Sequence, residues 1–253
     1  MSVIFVSAGP GAADLITLRG AKALAAADVV LFDALTDPAL RELAPNAQWL
    51  DVGKRGFAHA TKQTAINALL VKMALAHRNV VRLKGGDASV FGRLEEELLA
   101  LAAAGISCEV IPGVTAASAA AALTQRPLTR RGSGRSVSLT TAMTQDGSLT
   151  AQRSADTEVF YMAGKQLAAL SRKLVEAGWP ADTPVCVTSN AGAADALSSD
   201  HPVSGLASAS MLHRGRPTVV AVGAGASKLK KVTQAPSKTT GTQALAVPAT
   251  TSD

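Results

Sequence analysis

Glycine, proline and charged residues follow five short apolar segments of the chain, and their types suit the binding of a small polar ligand. Each apolar segment has the length of a strand. In an open parallel sheet the carboxyl ends of the strands form one edge, where ligands bind. We therefore expect one cleft at this edge, lined by Gly9-Pro10-Gly11, Asp33, Lys54-Arg55, Gly85-Gly86-Asp87 and Pro112-Gly113.

The charged residues of this set favour a ligand site, because turns need glycine and proline but have no need of a carboxylate or an ammonium group. Glycine also lets a ligand approach the backbone closely. Asp14 stands where the dinucleotide fingerprint has its third glycine, and no Gly-Lys-Ser/Thr follows Gly86, so neither a standard NAD site nor a phosphate loop is predicted. For Gly85-Gly86-Asp87 taken alone, a ligand contact and an ordinary turn remain equal alternatives.

Basic residues are concentrated in the middle of the chain. Residues 126–135 hold four arginines with Gly132 and Gly134 between them, which predicts a flexible cationic loop. Arginine binds carboxylates through two parallel hydrogen bonds, so a polycarboxylate ligand suits this loop, although a solvated surface would have the same composition. Single-stranded nucleic acid would require stacking aromatics, and none lie nearby, so no nucleic-acid partner is predicted. The basic set is Arg82, Lys84, Arg93, Arg126, Arg130, Arg131 and Arg135.

The composition is that of a globular protein with an aliphatic core. Of the 253 residues 47% are hydrophobic but only 3% are aromatic, and the net charge is +6. No run of about 18 uncharged apolar residues predicts a membrane span, and the N-terminus lacks the basic leader of a secretory signal. Cys108 and Cys186 lie in apolar runs, which predicts buried thiols in a reducing, cytoplasmic environment. No metal site is predicted, because no Cys and His cluster has zinc spacing.

Alternation of apolar runs with helical patterns predicts an α/β fold with a mostly parallel sheet. Strands are predicted at 3–7, 29–32, 48–52, 80–83, 108–111, 137–141, 158–162, 185–189 and 219–222. Helices are predicted after caps at Thr17 and Thr61 and over 93–104, 115–123, 166–177 and 206–212. We expect an N-terminal α/β domain over 1–113, a C-terminal α/β domain over 114–231 and a disordered tail over 232–253, which is rich in Thr, Ala, Pro, Ser and Lys.

Eight segments, in this order along residues 3–225, make the chain resemble the tetrapyrrole methylases. They are VSAGPGAADLITLRGAKAL, ADVVLFDALT, VGKRG, VVRLKGGDASVFGR, EEE with EVIPGVTAASAAAAL, RPLTRR, EVFYMAG and ADTPVCVTSNAG. The resemblance implies two α/β domains, S-adenosyl-L-methionine (SAM) in the cleft between them, and a homodimer. The SAM contacts that it implies are Pro10, Gly85, Gly86, Asp87, Val90, Thr115, Ala116, Met162 and Ala191.

The same resemblance implies roles in catalysis and substrate binding. Asp33 would accept a proton and Lys54 would donate one, while Arg93, Glu96 and Arg131 would lie on the substrate side of the cleft. The implied reaction transfers two methyl groups to C2 and C7 of uroporphyrinogen III, forming precorrin-1 and then precorrin-2, and releases S-adenosyl-L-homocysteine. Precorrin-2 is a precursor of sirohaem, cobalamin and haem d1.

The chain departs from the family pattern at a few positions near the implied site. Ala88 replaces a usual proline and is expected to loosen its turn, Leu94 and Glu95 replace two common glycines, and Arg130 replaces a histidine. Ala191 replaces a frequent glycine. Two alternatives therefore stay open. One is a SAM methyltransferase of the same fold that acts on a later corrin precursor or an rRNA ribose, and the other is a catalytically weak module that binds SAM and tetrapyrrole.

Overall fold

The first half of the chain forms a five-stranded parallel sheet with the order β3-β2-β4-β1-β5. The computed structural model describes residues 2–53, 62–142 and 148–229. The strands are β1 Ser2–Ser7, β2 Val29–Phe32, β3 Gln48–Asp51, β4 Asn79–Lys84 and β5 Ser107–Ile111. The helices between them are α1 Leu18–Ala25, α2 Gln63–Ala76 and α3 Leu94–Ala103.

Both faces of this sheet are covered, which explains the continuous apolar runs of its central strands. On one face Phe5 and Leu31 pack with Leu70 of α2 and Leu101 of α3. On the other face Val6 and Leu83 pack with Leu24 of α1. Thr17 caps α1 as predicted, since its Oγ1 accepts a hydrogen bond from the Gly20 amide at 3.0 Å. The predicted helix start at Thr61 lies outside the described residues.

The strands of the first sheet are in a register that brings their carboxyl ends level. Val6 of β1 lies opposite both Leu83 of β4 and Ile111 of β5, while Phe32 of β2 pairs with Leu83. The loops that leave these four strands therefore begin at one edge of the sheet. This is the arrangement that the positions of the glycines and of Asp33 predict.

The second half forms another five-stranded sheet, with the order β6-β7-β10-β8-β9. Its strands are β6 Val137–Thr141, β7 Thr157–Tyr161, β8 Pro184–Ser189, β9 Leu197–Pro202 and β10 Thr218–Gly223. The helix α4, Ala116–Leu123, packs against Val159 and Val219 on one face. The helix α5, Leu167–Glu176, and a 3₁₀ helix, Val203–Ser210, pack against Phe160 and Val220 on the other.

The prediction of a mostly parallel sheet is correct for the first sheet and wrong for the second. Only β6 and β7 pair in parallel there, while β10 runs antiparallel to β7 and β8, and β9 runs antiparallel to β8. The chain between β8 and β9 is too short for the crossover of a dozen or more residues that parallel pairing requires. The helix predicted at 206–212 is replaced by the 3₁₀ helix that begins at Val203.

Two further expectations are corrected by the strand order and by ion pairing. Cys108 is exposed, because it lies on the edge strand β5, whereas Cys186 is buried as predicted. Arg126 is not part of an open cationic loop, since it is 8% exposed and its guanidinium binds Asp200.

Within the described residues, no helix is both long and apolar enough to cross a membrane. The domain boundaries given above remain predictions.

The ion pair of Arg126 ties the loop after α4 to strand β9. The two Nη atoms lie 2.5 and 2.9 Å from the Asp200 carboxylate, and Lys228 Nζ lies 2.9 Å from it. The hydrogen bond from Arg126, assisted by Lys228, lowers the pKa of Asp200 from 3.8 to about 2. Because the folded-state pKa lies below the unfolded value, this stabilisation is present above pH 3.8 and is lost as the pH falls toward 2.

We predict that Asp200→Asn lowers the free energy of unfolding at neutral pH by about 1 kcal/mol, a modest value because a 40% exposed carboxylate is screened by water. The difference from the wild type should shrink as the pH falls from 3.8 toward 2, as measured by urea unfolding at several pH values. Asp182→Asn, at an exposed position, is the control and should change neither. A difference that is constant with pH would contradict the assignment.

Candidate functional site

The loops that follow β1, β4 and β5 are joined by hydrogen bonds at the carboxyl edge of the first sheet. The Gly9 amide donates to the Gly86 carbonyl at 3.1 Å, and the Gly86 amide donates to the Gly9 carbonyl at 2.7 Å. Asp87 accepts from the Gly113 amide through Oδ2 at 2.8 Å and from the Ser89 amide through Oδ1 at 2.8 Å. Asp87 therefore makes a turn and also joins two strand ends.

Glycine is required in these loops by close packing and is also placed to admit a ligand. A Cβ on Gly113 would lie 2.5 Å from Ser7 Cβ, and a Cβ on Gly92 would lie 2.3 Å from the Ala88 carbonyl oxygen, so neither position has room for a side chain. Gly86 differs, because a Cβ there would meet nothing within 4 Å, and its φ is +70°. Gly86 thus presents bare backbone to open space, as a ligand cradle requires.

Ala88 does not loosen the turn that follows Asp87. Its side chain is fully buried, and its amide donates to Ser7 Oγ at 3.0 Å. Proline has no amide hydrogen and could not make this bond. The turn is closed as well by the Val90 amide, which donates to the Asp87 carbonyl at 3.1 Å. The expectation of a looser turn is corrected, since Ser7 replaces the rigidity of proline with a hydrogen bond.

The second half of the chain supplies the opposite side of this cleft. The Ala12 amide donates to the Gly192 carbonyl at 2.9 Å, which brings the loop of Pro10 to the turn that follows β8. The hydroxyl of Tyr161, at the end of β7, lies 2.7 Å from Thr115 Oγ1. The rings of Tyr161 and Phe91 are 4.9 Å apart between centroids. The structure thus gathers the predicted SAM contacts, or their immediate chain neighbours, from both halves.

Backbone strain is concentrated around this cleft. Four non-glycine residues there have a left-handed φ between 50° and 57°, namely Phe91, Arg93, Met162 and Asn190. Residues in this region cost about 1–3 kcal/mol each and cluster at ligand sites. In the described part of the chain only one other non-glycine residue, Gln125, has a positive φ. Met162 is 54% exposed despite its apolar side chain.

Asp33 lies at the end of β2, where one of its oxygens is held by a buried arginine. Its Oδ1 is 2.5 Å from Nη2 of Arg82, which lies on the neighbouring strand β4. The Asp33 side chain is 30% exposed, and no partner for Oδ2 is found among the described residues. One oxygen is therefore fixed, and the other is accessible to a substrate. Lys54, the predicted proton donor, lies outside the described residues.

Arg82 and Lys84 were expected in the basic set that faces a polycarboxylate, and the structure corrects this. Both are 2% exposed, and both bind Glu97 of α3, which is 1% exposed. Burial and the nearby Arg82 lower the pKa of Lys84, while Glu97 opposes the shift. Sequence reasoning missed Glu97. The available signal was its helical spacing, which puts it on the same face as Leu94 and the buried Leu101.

The three predicted substrate residues do not come together. Arg93 and Glu96 bind each other through two hydrogen bonds of 2.7 Å, which raise the pKa of Arg93 and lower that of Glu96. A substrate carboxylate would have to displace Glu96. Arg131 lies in the turn closed by Arg130 and Gly134, which packs near Ala224, beyond the end of β10. That end of the second sheet is opposite to the one with Met162.

SAM is the ligand that the resemblance implies, and we predict that Ser7→Ala weakens its binding. The variant would leave the buried Ala88 amide without an acceptor and so disturb the turn that follows Asp87. The cost to stability should be about 1–3 kcal/mol. Ser171→Ala is the matched control, since Ser171 is also buried and its Oγ donates to the Val203 carbonyl in the second core. Calorimetric titration should show weaker binding for Ser7→Ala alone. Equal effects of the two variants would contradict a local role for Ser7.

Comparisons with known proteins agree with this geometry. The family model described as tetrapyrrole (corrin/porphyrin) methylases matches residues 2–204. The uroporphyrinogen-III C-methyltransferase of Pseudomonas aeruginosa is 44% identical over 193 residues, which cover 75% of this chain and 79% of that protein. The siroheme synthase of Baumannia cicadellinicola is 46% identical over 195 residues, but these cover only 42% of its length. The chain thus spans less than half of that longer relative.

A solved structure with the same fold carries a bound ligand. The uroporphyrin-III C-methyltransferase of Thermus thermophilus, crystallised with S-adenosyl homocysteine, superposes with a TM-score of 0.77 at 32% identity, covering 88% of this chain and 97% of that one. The match includes both sheets, and the family model extends over far more than half of the sequence. We conclude that this chain belongs to the tetrapyrrole methylases.

Proposed function

We propose that the protein is a uroporphyrinogen-III C-methyltransferase, which uses SAM to methylate C2 and C7 and forms precorrin-2 by way of precorrin-1. The observation that carries the proposal is Asp33, whose free oxygen lies at the strand edge that also presents the bare backbone of Gly86. The likeness to the enzymes of Pseudomonas aeruginosa and Thermus thermophilus supports the same substrate.

The residues proposed to hold SAM fit a polar ligand that contacts the backbone closely at Gly86. Gly85, Gly86 and Asp87 form one side of the cleft. Pro10 follows Gly9, which is hydrogen-bonded to Gly86, and the Val90 amide donates to the Asp87 carbonyl. Thr115 and Ala116, at the start of α4, and Met162 and Ala191 lie on the side supplied by the second half. Bound SAM would supply an electrophilic methyl group and leave as S-adenosyl-L-homocysteine.

The protein's own contribution is to orient the substrate and to accept a proton. Alignment of a carbon with the methyl group is worth about 7–11 kcal/mol in the best cases. After a pyrrole carbon gains a methyl group, the ring must lose a proton to regain neutrality, and Asp33 Oδ2 is the proposed acceptor. General bases contribute about 10²–10⁴-fold. Lys54 is the proposed proton donor, and Arg93 is proposed to bind a substrate carboxylate that displaces Glu96.

We also propose a cytoplasmic homodimer with no nucleic-acid partner. The homodimer is proposed because the chain belongs to the tetrapyrrole methylases, for which the resemblance implies this assembly. The free thiols of Cys108 and Cys186 fit a reducing compartment. A tetrapyrrole with several carboxylates fits the cleft better than a nucleic acid does, since aromatic stacking groups are scarce.

The proposal is tested by anaerobic incubation of the protein with uroporphyrinogen III and SAM, followed by mass spectrometry of the oxidised product. We expect a gain of two methyl groups and release of S-adenosyl-L-homocysteine. A gain of one methyl group would implicate Leu94 or Glu95, which follow Arg93, in blocking the second step. Binding of SAM with no product would contradict the proposal and favour a related substrate or a binding module.

We predict that Asp33→Asn slows methyl transfer about 10²–10⁴-fold, because asparagine cannot accept the proton. SAM affinity should stay within a few-fold, since Asp33 is bound to Arg82 and not to the glycine loops. Asp156→Asn is the control, because Asp156 accepts hydrogen bonds from Ser136 and Arg135 at the far end of the second sheet. The rates are measured with saturating SAM. If Asp33→Asn unfolds or no longer binds SAM, Asp33 has a structural role and the prediction is wrong.

A further inference from the structure

Behind Asp33 lies a buried cluster of three charged groups, Arg82, Lys84 and Glu97, that none of the proposed roles includes. Glu97 accepts hydrogen bonds from Arg82 Nε and Nη2 at about 3.2 Å and from Lys84 Nζ at 3.1 Å. Gln63 Nε2 of α2 donates to the same carboxylate at 3.1 Å. We propose that Glu97 is a positioning residue for methyl transfer, which fixes Arg82 and through it orients Asp33. The proposal rests on the function proposed above for Asp33.

The guanidinium of Arg82 is held at every nitrogen, so its direction is set before any substrate binds. Nη1 donates to the carbonyls of Leu31 and Leu83 at 3.3 and 3.0 Å, and Nε donates to Glu97. Nη2 is shared between Glu97 and Asp33. Glu97 is the only one of these acceptors that is charged and almost completely buried. Its loss would leave Arg82 attached by two carbonyl hydrogen bonds and by Asp33.

Charge balance gives Glu97 a second effect on Asp33. Together with Asp33, the cluster contains two cations, Arg82 and Lys84, and two carboxylates, and buried ions are tolerated only when paired. Glu97 contacts both cations, which leaves Asp33 with a single contact through Oδ1. Without Glu97, Asp33 would be the only carboxylate beside these cations and would be drawn toward both of them. Glu97 thereby keeps Oδ2 available to the substrate.

A double-mutant cycle separates this role from that of a structural ion pair. Glu97→Gln keeps the shape but removes the charge, and we expect kcat to fall about 10–100-fold, the effect of a small misplacement of a catalytic group. The Kd for SAM should stay within two-fold. In the Asp33→Asn background, Glu97→Gln should change kcat less than two-fold, because residues that act as a unit are not additive.

A second variant guards against misfolding of Glu97→Gln, which leaves an excess of buried positive charge. Lys84→Met with Glu97→Gln keeps one cation and one carboxylate, and it should fold while showing the same loss of kcat and the same non-additivity. Asp200→Asn, which removes the partner of another buried arginine, Arg126, is the matched control. It should lower stability without lowering kcat in either background.

The outcomes distinguish the two proposals. Multiplicative losses in the Asp33→Asn background, or an unchanged kcat in the Glu97 variants, would overturn the positioning role and leave Asp33 in place. Wild-type activity of Asp33→Asn itself would overturn the proposed role of Asp33, and the role of Glu97 with it. Non-additivity together with unchanged SAM affinity would support both.

Discussion

The candidate site depends on hydrogen bonds between loops that leave three parallel strands. Gly9 and Gly86 exchange two hydrogen bonds, and Asp87 binds the Gly113 amide. The contacts form only because the strands end level and because position 113 carries no side chain against Ser7. The loops then form one surface, against which the turn after β8 places Gly192. The hydrogen bonds of Gly9, Gly86 and the Asp87 carboxylate thus set the shape of the proposed cofactor cleft.

Charge burial imposes a second constraint on the same edge. Strand β4 carries Arg82 and Lys84 into a region where each is 2% exposed, and unpaired buried ions would cost several kcal/mol each. Glu97 forms ion pairs with both Arg82 and Lys84. The burial of this cluster lowers the pKa of Lys84. Asp33 completes the cluster while remaining partly exposed. The buried Arg82 of β4, which has to be paired with a carboxylate, thus also holds Asp33 at the entrance of the cleft.

Local sequence patterns predicted the parts of the fold that depend on the type of residue and not on contacts between distant segments. The apolar runs of β1 and β4 and the cap at Thr17 are of this kind, and so are the glycine loops at the strand ends. Strand β9 was missed because its alternating residues are polar and partly exposed at the edge of the sheet. Glu97 was missed because a run of three glutamates resembles a solvated helix face. Its burial depends on Arg82 and Lys84, which lie more than ten residues away in the sequence. The bond between Ser7 and Ala88 likewise depends on a contact between distant strands.

The strand-end loops of the first sheet and the turns of the second are proposed to enclose a single SAM site beside Asp33. The most direct test is a crystal structure of the protein with S-adenosyl-L-homocysteine bound. We predict ligand density against Gly85, Gly86 and Thr115, with the sulfur facing the side of the cleft that holds Asp33. Density elsewhere, for instance near Arg153 and Trp179 at the far end of the second sheet, would contradict a SAM site beside Asp33.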